Sequence, residues 1–366
     1  MPIPFAKDTE LSNCIGLFIL FSLSCKDTKY FRKKRNYLRQ ALLIIVKQLS
    51  VKIISFALSN RIAYFCKSMD VSIIIVNYNT LHVLRPCLDS IIEQTTGLDY
   101  EIIVVDNGST DGSIEMLADD KRMLFIPTGE NLGFGKANNK GLEQAKGKYI
   151  FFLNSDTLLK NNAVKMFYDF AEHYKGSLGA VGCVLEDRQG HRIHSYGQFP
   201  KMNADFHKFL WTPILKGLHL YHQSAIEYPE QWMTVDYVTG ADLFVSRQVL
   251  DECGAFHPAF FMYYEESEME HRFHRSGYDN ILLNGPQIIH LEGEGGKDGK
   301  SSKFLRDTYR QERSLFIYFK LTEPRWKYYL YRIIHPVLRQ TVWLNPNVSL
   351  ADKWTFVKQL FVSIKL

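Results

Sequence analysis

Five groups of residues combine side-chain type and spacing in ways that suit chemistry. Asn154-Ser155-Asp156 follows the apolar run YIFFL. A carboxylate at that place can hold Mg²⁺ or Mn²⁺, hard cations that take oxygen ligands and bridge diphosphates. Asn-Ser-Asp is equally good β-turn chemistry. Asp106-Asn107 ends a second apolar run, EIIVV; a carboxylate there suits the N–H of a pyrimidine base or ribose hydroxyls, and also suits an Asx-turn or a helix N-cap. The segment Asn131-Leu132-Gly133-Phe134-Gly135-Lys136-Ala137-Asn138-Asn139 opens a helix whose N-terminus favours phosphate. It lacks the third glycine of a dinucleotide fingerprint. Glu265-Glu266-x-Glu268 follows the aromatic block FFMYY, where desolvation would raise a carboxylate toward the pKa of a useful general base. Acidic residues also favour a helix start for electrostatic reasons alone. His290, at the end of Ile288-Ile289-His290, can serve as a nitrogen ligand or as a satisfied histidine near a strand end.

The elements that must carry these groups are legible as alternating patterns. Val71–Val76 (VSIIIV) is a continuous β-branched run bounded by Asn77 and Asn79, which predicts a buried parallel strand. Leu84, Leu88, Ile91 and Ile92 give Leu81–Gln94 one apolar helical face. Strands are predicted at Glu101–Val105, Met123–Ile126 and Tyr149–Leu153, and helices at Ser113–Asp119, Gly135–Ala145 and Asn162–His173. This alternation implies a doubly wound α/β domain, its sheet mostly parallel and its helices on both faces. Ligands of such sheets bind beyond the carboxyl ends of the strands. Asn77/Asn79, Asp106/Asn107 and Asn154/Asp156 all fall at such ends. Farther on, Val181–Leu185 reads as a strand, Val235–Val245 as strand–turn–strand around Gly240, and Glu265–Arg275 as a charged helix.

Charge is segregated along the chain. Residues 1–68 carry 12 Lys/Arg against 3 Asp/Glu, residues 69–302 carry 20 against 32, and residues 303–366 carry 12 against 4. The acidic middle excludes a nucleic-acid-binding surface there. The basic tail, with Trp326, Tyr328, Tyr329, Tyr331 and Trp343 among Arg325, Lys327, Arg332 and Arg339, suits an anionic membrane surface; helices packed on the catalytic body are the alternative. Ile15–Leu23 is too short to span a bilayer, and Ala41–Leu58 reads as a basic amphipathic helix. Met69, directly before the first strand, is an alternative start to the chain. The expected organisation is therefore a basic extension (1–68), a catalytic domain (69–302) and a helical basic, aromatic tail (303–366). Six scattered cysteines without zinc spacing suit a reduced cytosolic compartment.

In order, VSIIIVNYNT, EIIVVDNGSTDGS, NLGFGKANNKG, YIFFLNSD, VTGADLFVSR, GAFHPAFFMYYEESEMEHR and IIHLEGEGG resemble family 2 glycosyltransferases, in particular the bacterial rhamnosyltransferase-like branch that builds surface polysaccharides. The resemblance covers about residues 69–302. It implies a GT-A-like fold, a nucleotide-sugar donor of the dTDP-rhamnose or UDP-sugar class, a divalent cation (Mg²⁺ or Mn²⁺) and single-displacement inversion. By position, Asn77 and Asp106 would hold the nucleotide, with Asn79, Asn107, Asn131, Gly133, Asn139 and Asn154 lining the donor site. Asp156 would be the metal ligand of a DxD-like motif, and His290 would complete it. Gly240, Ala241 and Asp242 would face donor sugar and acceptor. Glu266, with Glu265 beside it, would be the catalytic base. Asn154 replaces the first Asp of DxD, Glu266 stands where Asp is more usual, and His257 stands where Asp or Asn is often seen.

The expected reaction moves a sugar to a hydroxyl of a glycan or lipid-linked acceptor, on the cytoplasmic side at the inner face of the membrane. Two other classes compete. A sugar nucleotidyltransferase would need a basic Gly-rich loop after the first strand, where the chain has Asn77-Tyr78-Asn79-Thr80. A non-catalytic sugar-binding protein would tolerate loss of Asp156 or of the Glu265-Glu266 pair, and both are present.

Overall fold

The computed structural model describes residues 69–206, 227–291, 300–344 and 349–364. The expected extension 1–68, with its amphipathic segment 41–58, lies outside the described residues. From Met69 the chain alternates β1 (Val71–Asn77), α1 (Leu81–Gln94), β2 (Tyr100–Asp106), α2 (Ser113–Ala118), β3 (Leu124–Pro127), α3 (Phe134–Leu142) and β4 (Tyr149–Asn154). These strands lie in the order β3-β2-β1-β4, all parallel. β-Branched side chains on both faces drive this. Ile73 and Ile75 point to one side, against Leu84 and Leu88 of α1, and Ile74 points to the other, with Val105 and Phe152. Each such side chain, taken wholly out of water, contributes about 1.5–3 kcal/mol.

Beyond β4 come β5 (Thr157–Leu159), α4 (Ala163–His173), β6 (Leu178–Glu186), β7 (Tyr196–Gly197) and α5 (Met202–Phe206). Then follow β8 (Trp232–Val235), β9 (Tyr237–Val238), β10 (Asp242–Ser246), α6 (Arg247–Cys253), α7 (Glu265–Arg275) and β11 (Asp279–His290). The nine-stranded sheet continues from β4 as β10-β6-β11-β5, with β8 also on β11. β10 runs antiparallel between β4 and β6, and β6 and β11 are parallel. Helices cover both faces: α1 and α4 pack on one core layer, α3, α6 and α7 on the other. The mostly parallel, doubly wound sheet expected from the alternation is present.

Register decides what shares the polar edge. Asn77 lies beside Asp106 in the β1/β2 ladder, and Val76 lies beside Asn154 in β1/β4. Asp242 pairs with Leu153, one residue before Asn154. His290 at the end of β11 pairs with Thr157 of β5, next to Asp156.

The tail forms α8 (Lys300–Thr322), α9 (Arg325–Leu338), a 3₁₀ turn (Arg339–Leu344) and α10 (Leu350–Ser363). It has its own core, in which Phe316, Phe319, Tyr331 and Phe356 pack with Phe260 from the loop between α6 and α7. A buried ion cluster fastens α9 to α8: Glu312 meets His335 Nε2 at 2.6 Å and Arg339 Nη2 at 2.6 Å.

Candidate active site

The ends of β1 and β2 form a closed hydrogen-bond network. Asn77 Nδ2 donates to Asp106 Oδ2 at 2.8 Å and to Ser109 Oγ at 3.0 Å, while Asn77 Oδ1 accepts from Thr80 Oγ1 at 2.6 Å. Asp106 Oδ1 accepts the backbone N–H groups of Gly108 (3.2 Å) and Ser109 (2.9 Å). Asn77 and Asp106 are fully buried, so their side chains shape the loops of the edge rather than lie on its surface. Asn79 is half-buried, has left-handed backbone (φ 56°), and accepts Thr110 N–H at 2.8 Å. Thr80 Oγ1 also lies 2.8 Å from Ser155 Oγ, which ties the β1 loop to the Asn154–Asp156 turn.

Asn107 reaches across to the 131–135 loop. Its Nδ2 donates to Asn131 Oδ1 at 3.1 Å and its Oδ1 accepts Leu132 N–H at 2.9 Å. Gly133 has φ +86°, and a Cβ there would lie 2.3 Å from the Phe261 carbonyl oxygen. The neighbouring Phe134 N–H donates to that carbonyl at 2.8 Å. Only glycine permits this approach of two backbones. Asn139 braces the same region by donating to Phe256 O at 2.7 Å.

At the β4 end, His290 Nε2 lies 3.3 Å from Asp156 Oδ1 and 3.4 Å from Asn154 Nδ2. Among the described residues no three or more His, Cys, Asp or Glu side chains gather into a metal cage. Asp156 by itself suits a cation that arrives with its substrate, since Mg²⁺ is commonly held by one or two carboxylates plus phosphate oxygens and water, whereas the His290 imidazole beside it is a nitrogen donor that suits Mn²⁺ better than Mg²⁺. Asn154 N–H donates to Ala241 O at 2.9 Å, which brings the Gly240-Ala241-Asp242 segment against this turn. Within that segment Gly240 keeps partial exposure, while Ala241 and Asp242 are buried. Asp242 Oδ2 accepts Cys183 N–H at 2.6 Å, and burial pushes its carboxyl up to about 7.

The acidic helix α7 comes to the same segment: a Cβ on Gly240 would lie 3.8 Å from Glu266 Cβ. Glu265 is buried, and Glu266 is half-buried at the first turn. Burial is the main cause that raises both, Glu265 well above the carboxylate range with Glu266 adding repulsion, and Glu266 to about 6. The helix is entered through Tyr263 and Tyr264, both left-handed (φ 72° and 65°). Such backbone costs about 1–2 kcal/mol per non-glycine residue. The surroundings hold it: Phe134 N–H takes Phe261 O, Ser314 Oγ of α8 donates to Met262 O at 2.7 Å, and Arg310 of α8 sits 5.0 Å from the Phe261 ring.

Several participants escape sequence reasoning. Glu270, one turn after Glu266, is fully buried; its Oε2 accepts Val238 N–H at 2.9 Å, and burial first, then Glu266 and Asp242, push its carboxyl well up. The i, i+4 spacing of Glu266 and Glu270 was the available signal. Tyr237, whose hydroxyl is pushed up to about 12 by burial and by Glu266 and Glu270, gave no sequence signal. Thr80, Ser109 and Ser155 link the strand ends and look like ordinary turn residues in the sequence.

A mixed α/β sheet with its amide and carboxylate side chains gathered at one edge defines the class of this domain. Residues 72–227 match the model of glycosyl transferase family 2, and this part of the chain is a domain of that family. The acidic helix α7 and His290 lie beyond the matched residues. The chain resembles Glycosyltransferase GlyA of Streptococcus pneumoniae, 39% identical over 116 residues, 31% of this chain and 16% of that protein. It also resembles the N-acetylglucosaminyl-diphospho-decaprenol L-rhamnosyltransferase of Mycobacterium tuberculosis, 24% identical over 216 residues, 55% of this chain and 69% of that protein. The match thus spans about a sixth of the streptococcal relative and about two thirds of the mycobacterial one. Among solved structures, S. aureus TarS 1-349 in complex with UDP-GlcNAc matches with a TM-score of 0.49 and 15% identity, over 81% of this chain and 72% of that one.

Proposed function

We propose that the chain is an inverting glycosyltransferase of cell-surface polysaccharide synthesis, moving a sugar from a nucleoside-diphosphate donor to a hydroxyl of a glycan or lipid-linked acceptor. In this reading Glu266 takes the acceptor proton. The freed oxygen bonds to the anomeric carbon from the face opposite the diphosphate. The bond from that carbon to the diphosphate breaks, and its electron pair leaves with the phosphate oxygen. A divalent cation held by Asp156 and His290, when bound, would offset charge building on the leaving group. Asn77, Asp106 and Asn107 hold the loops that would surround the nucleotide, and Gly240 leaves room for sugar beside Glu266.

The observation that carries the reading is the contact chain across one short segment. Gly240 abuts Glu266, and Ala241 accepts the N–H of Asn154, two residues from Asp156. A base and a cation seat on either side of one strand entry suit a single-displacement transfer. A rhamnosyl donor is favoured by the mycobacterial relative, whose name specifies L-rhamnosyl transfer onto a diphospho-decaprenol. The deciding measurement is a donor-turnover screen over several nucleotide sugars, with wild type beside Glu266→Gln. We expect turnover with one donor class, and a loss of about 10²–10⁴-fold in the variant with donor affinity kept. Normal turnover by Glu266→Gln removes Glu266 from the role.

A further inference from the structure

The sequence singled out the tail for its aromatic and basic residues, and the fold divides that set. Tyr328 and Tyr331 are buried in the tail core. The exposed set on α9 is Trp326, Tyr329, Leu330, Ile333 and Val337, each between 47% and 70% exposed. At about 100° per residue these five fall within one arc of about 100°. The helix has three cations and no acidic residue. Arg325 and Arg332 flank the arc on one side and Lys327 on the other. Their cations lie along the aromatic rings, Lys327 Nζ 5.9 Å from the Trp326 ring and the Arg332 guanidinium 5.6 Å from that of Tyr329.

We infer that this face of α9 is a docking surface for an anionic lipid bilayer, with Trp326, Leu330, Ile333 and Val337 entering the interface and Arg325, Lys327 and Arg332 meeting headgroup phosphates. An apolar stripe bordered by cations, with a tryptophan at one end, is the pattern of a helix lying in a membrane interface. Charge decides between occupants. In a two-fold pairing of this face with a second copy, cationic borders would oppose cationic borders, with no acidic side chain on α9 itself, and Glu323, just before it, is already paired with Lys327 at 3.3 Å. An anionic surface complements both borders at once. The segregation along the chain adds direction: the acidic body, 20 Lys/Arg against 32 Asp/Glu, is repelled by such a surface, whereas the tail, 12 against 4, is drawn to it. Among the described residues no helix is long and apolar enough to cross a membrane, so contact through α9 would be peripheral.

The inference rests on the proposed function only for its purpose, access to a lipid-linked acceptor; docking itself is read without turnover. The full chain is mixed with vesicles of phosphatidylcholine alone or with about one-third phosphatidylglycerol, and bound protein is measured by co-sedimentation at low and high salt. Two variants accompany it, Trp326→Ser/Ile333→Ser/Val337→Ser and Arg325→Ser/Lys327→Ser/Arg332→Ser. All six positions lie outside the proposed site, so melting temperature and donor turnover in detergent-free solution should match wild type.

Expected is salt-sensitive binding to the anionic vesicles only, weakened about a hundredfold by removing the three cations at roughly fivefold per charge. Removing the apolar residues should weaken it at least as much. Three results overturn the inference: no binding to anionic vesicles, undiminished binding by the apolar variant (docking then belongs to another segment), or a wild-type dimer that the apolar variant dissolves into monomers.

Discussion

The two halves of the polar edge treat their carboxylates in opposite ways. At the ends of β1 and β2, Asp106 accepts hydrogen bonds from Asn77, Gly108 and Ser109. Across the edge, Glu265, Glu270 and Asp242 are equally buried, yet each keeps one oxygen with no hydrogen-bond partner among the described residues. Burial raises all three, as it raises Glu266. A carboxylate that accepts several donors fixes a loop. A carboxylate taken out of water with one of its oxygens left without a donor holds its proton more tightly. One half is built for shape and the other for proton affinity, which is the division a bound donor and a reacting hydroxyl would require.

The largest test of that division is Glu266→Gln, set out above. Its companion is the pH profile. With its carboxyl pushed up to about 6, Glu266 would have to lose its proton to serve as the proposed base, so kcat/KM should rise with pH through about 6 and level off above it. A profile flat from about pH 5 to about pH 8 would leave the base half without its distinguishing property.

Next in size is Asp106→Asn. The amide must set a donor against either Asn77 Nδ2 or the Gly108 and Ser109 N–H groups. A loss of about 1–3 kcal/mol of stability is expected, together with weaker donor binding. Chemical denaturation and donor titration would show both. An unchanged midpoint would mean that the donor half tolerates an unsatisfied network.

Glu270→Gln addresses proton affinity without touching the proposed base. The folded carboxyl has a raised pKa, whereas the unfolded chain releases this proton near its ordinary value, about 4.3. The native state therefore binds the extra proton above that pH, and stability falls as pH rises toward the folded pKa, by up to about 1.4 kcal/mol per pH unit for one group. Glutamine mimics the protonated form and can still accept Val238 N–H. The variant should match wild type under acid conditions and be the more stable at alkaline pH, with Asp242 and Glu265 left to give the residual slope. Parallel urea midpoints across that range would contradict a buried, proton-holding Glu270.

The smallest effect is expected at Ser314→Ala. It removes one hydrogen bond to Met262 O in the strained entry to α7, worth about 1 kcal/mol. A few-fold fall in kcat with donor affinity unchanged would link α8 to the base half alone. A matching fall in donor affinity would mean that the two halves are not mechanically separate.

Much of the site was legible because chemistry and chain punctuation coincide. The β-branched runs end at Asn77, Asp106 and Asn154, and the structure places all three at one edge. The acidic start of α7 was visible in the same way, directly after five aromatic and apolar residues. β11 was read only at Ile288–His290, because Asn284, Gly285 and Pro286 interrupt a strand that begins at Asp279. The span Val235–Val245 resolves into three short strands around Asp236 and Gly240. In the tail, the aromatic set in the sequence mixed core with surface, and only burial separated Tyr328 and Tyr331 from Trp326 and Tyr329.

The sequence by itself determined the alternation of elements, the residues at each strand end and the acidic, aromatic entry to α7. These depend on local periodicity and on turn chemistry, which neighbouring residues settle among themselves. The tertiary structure decided which of those side chains face the edge and which brace it. Asn77, Asp106 and Asp242 turned inward, while Asn154, Asp156, Gly240, Glu266 and His290 stayed partly open. Inward or outward depends on strand register and on donors supplied by residues far away in the chain. Asp242 meets Cys183 N–H, and Glu270 meets Val238 N–H. No local pattern encodes such a partner.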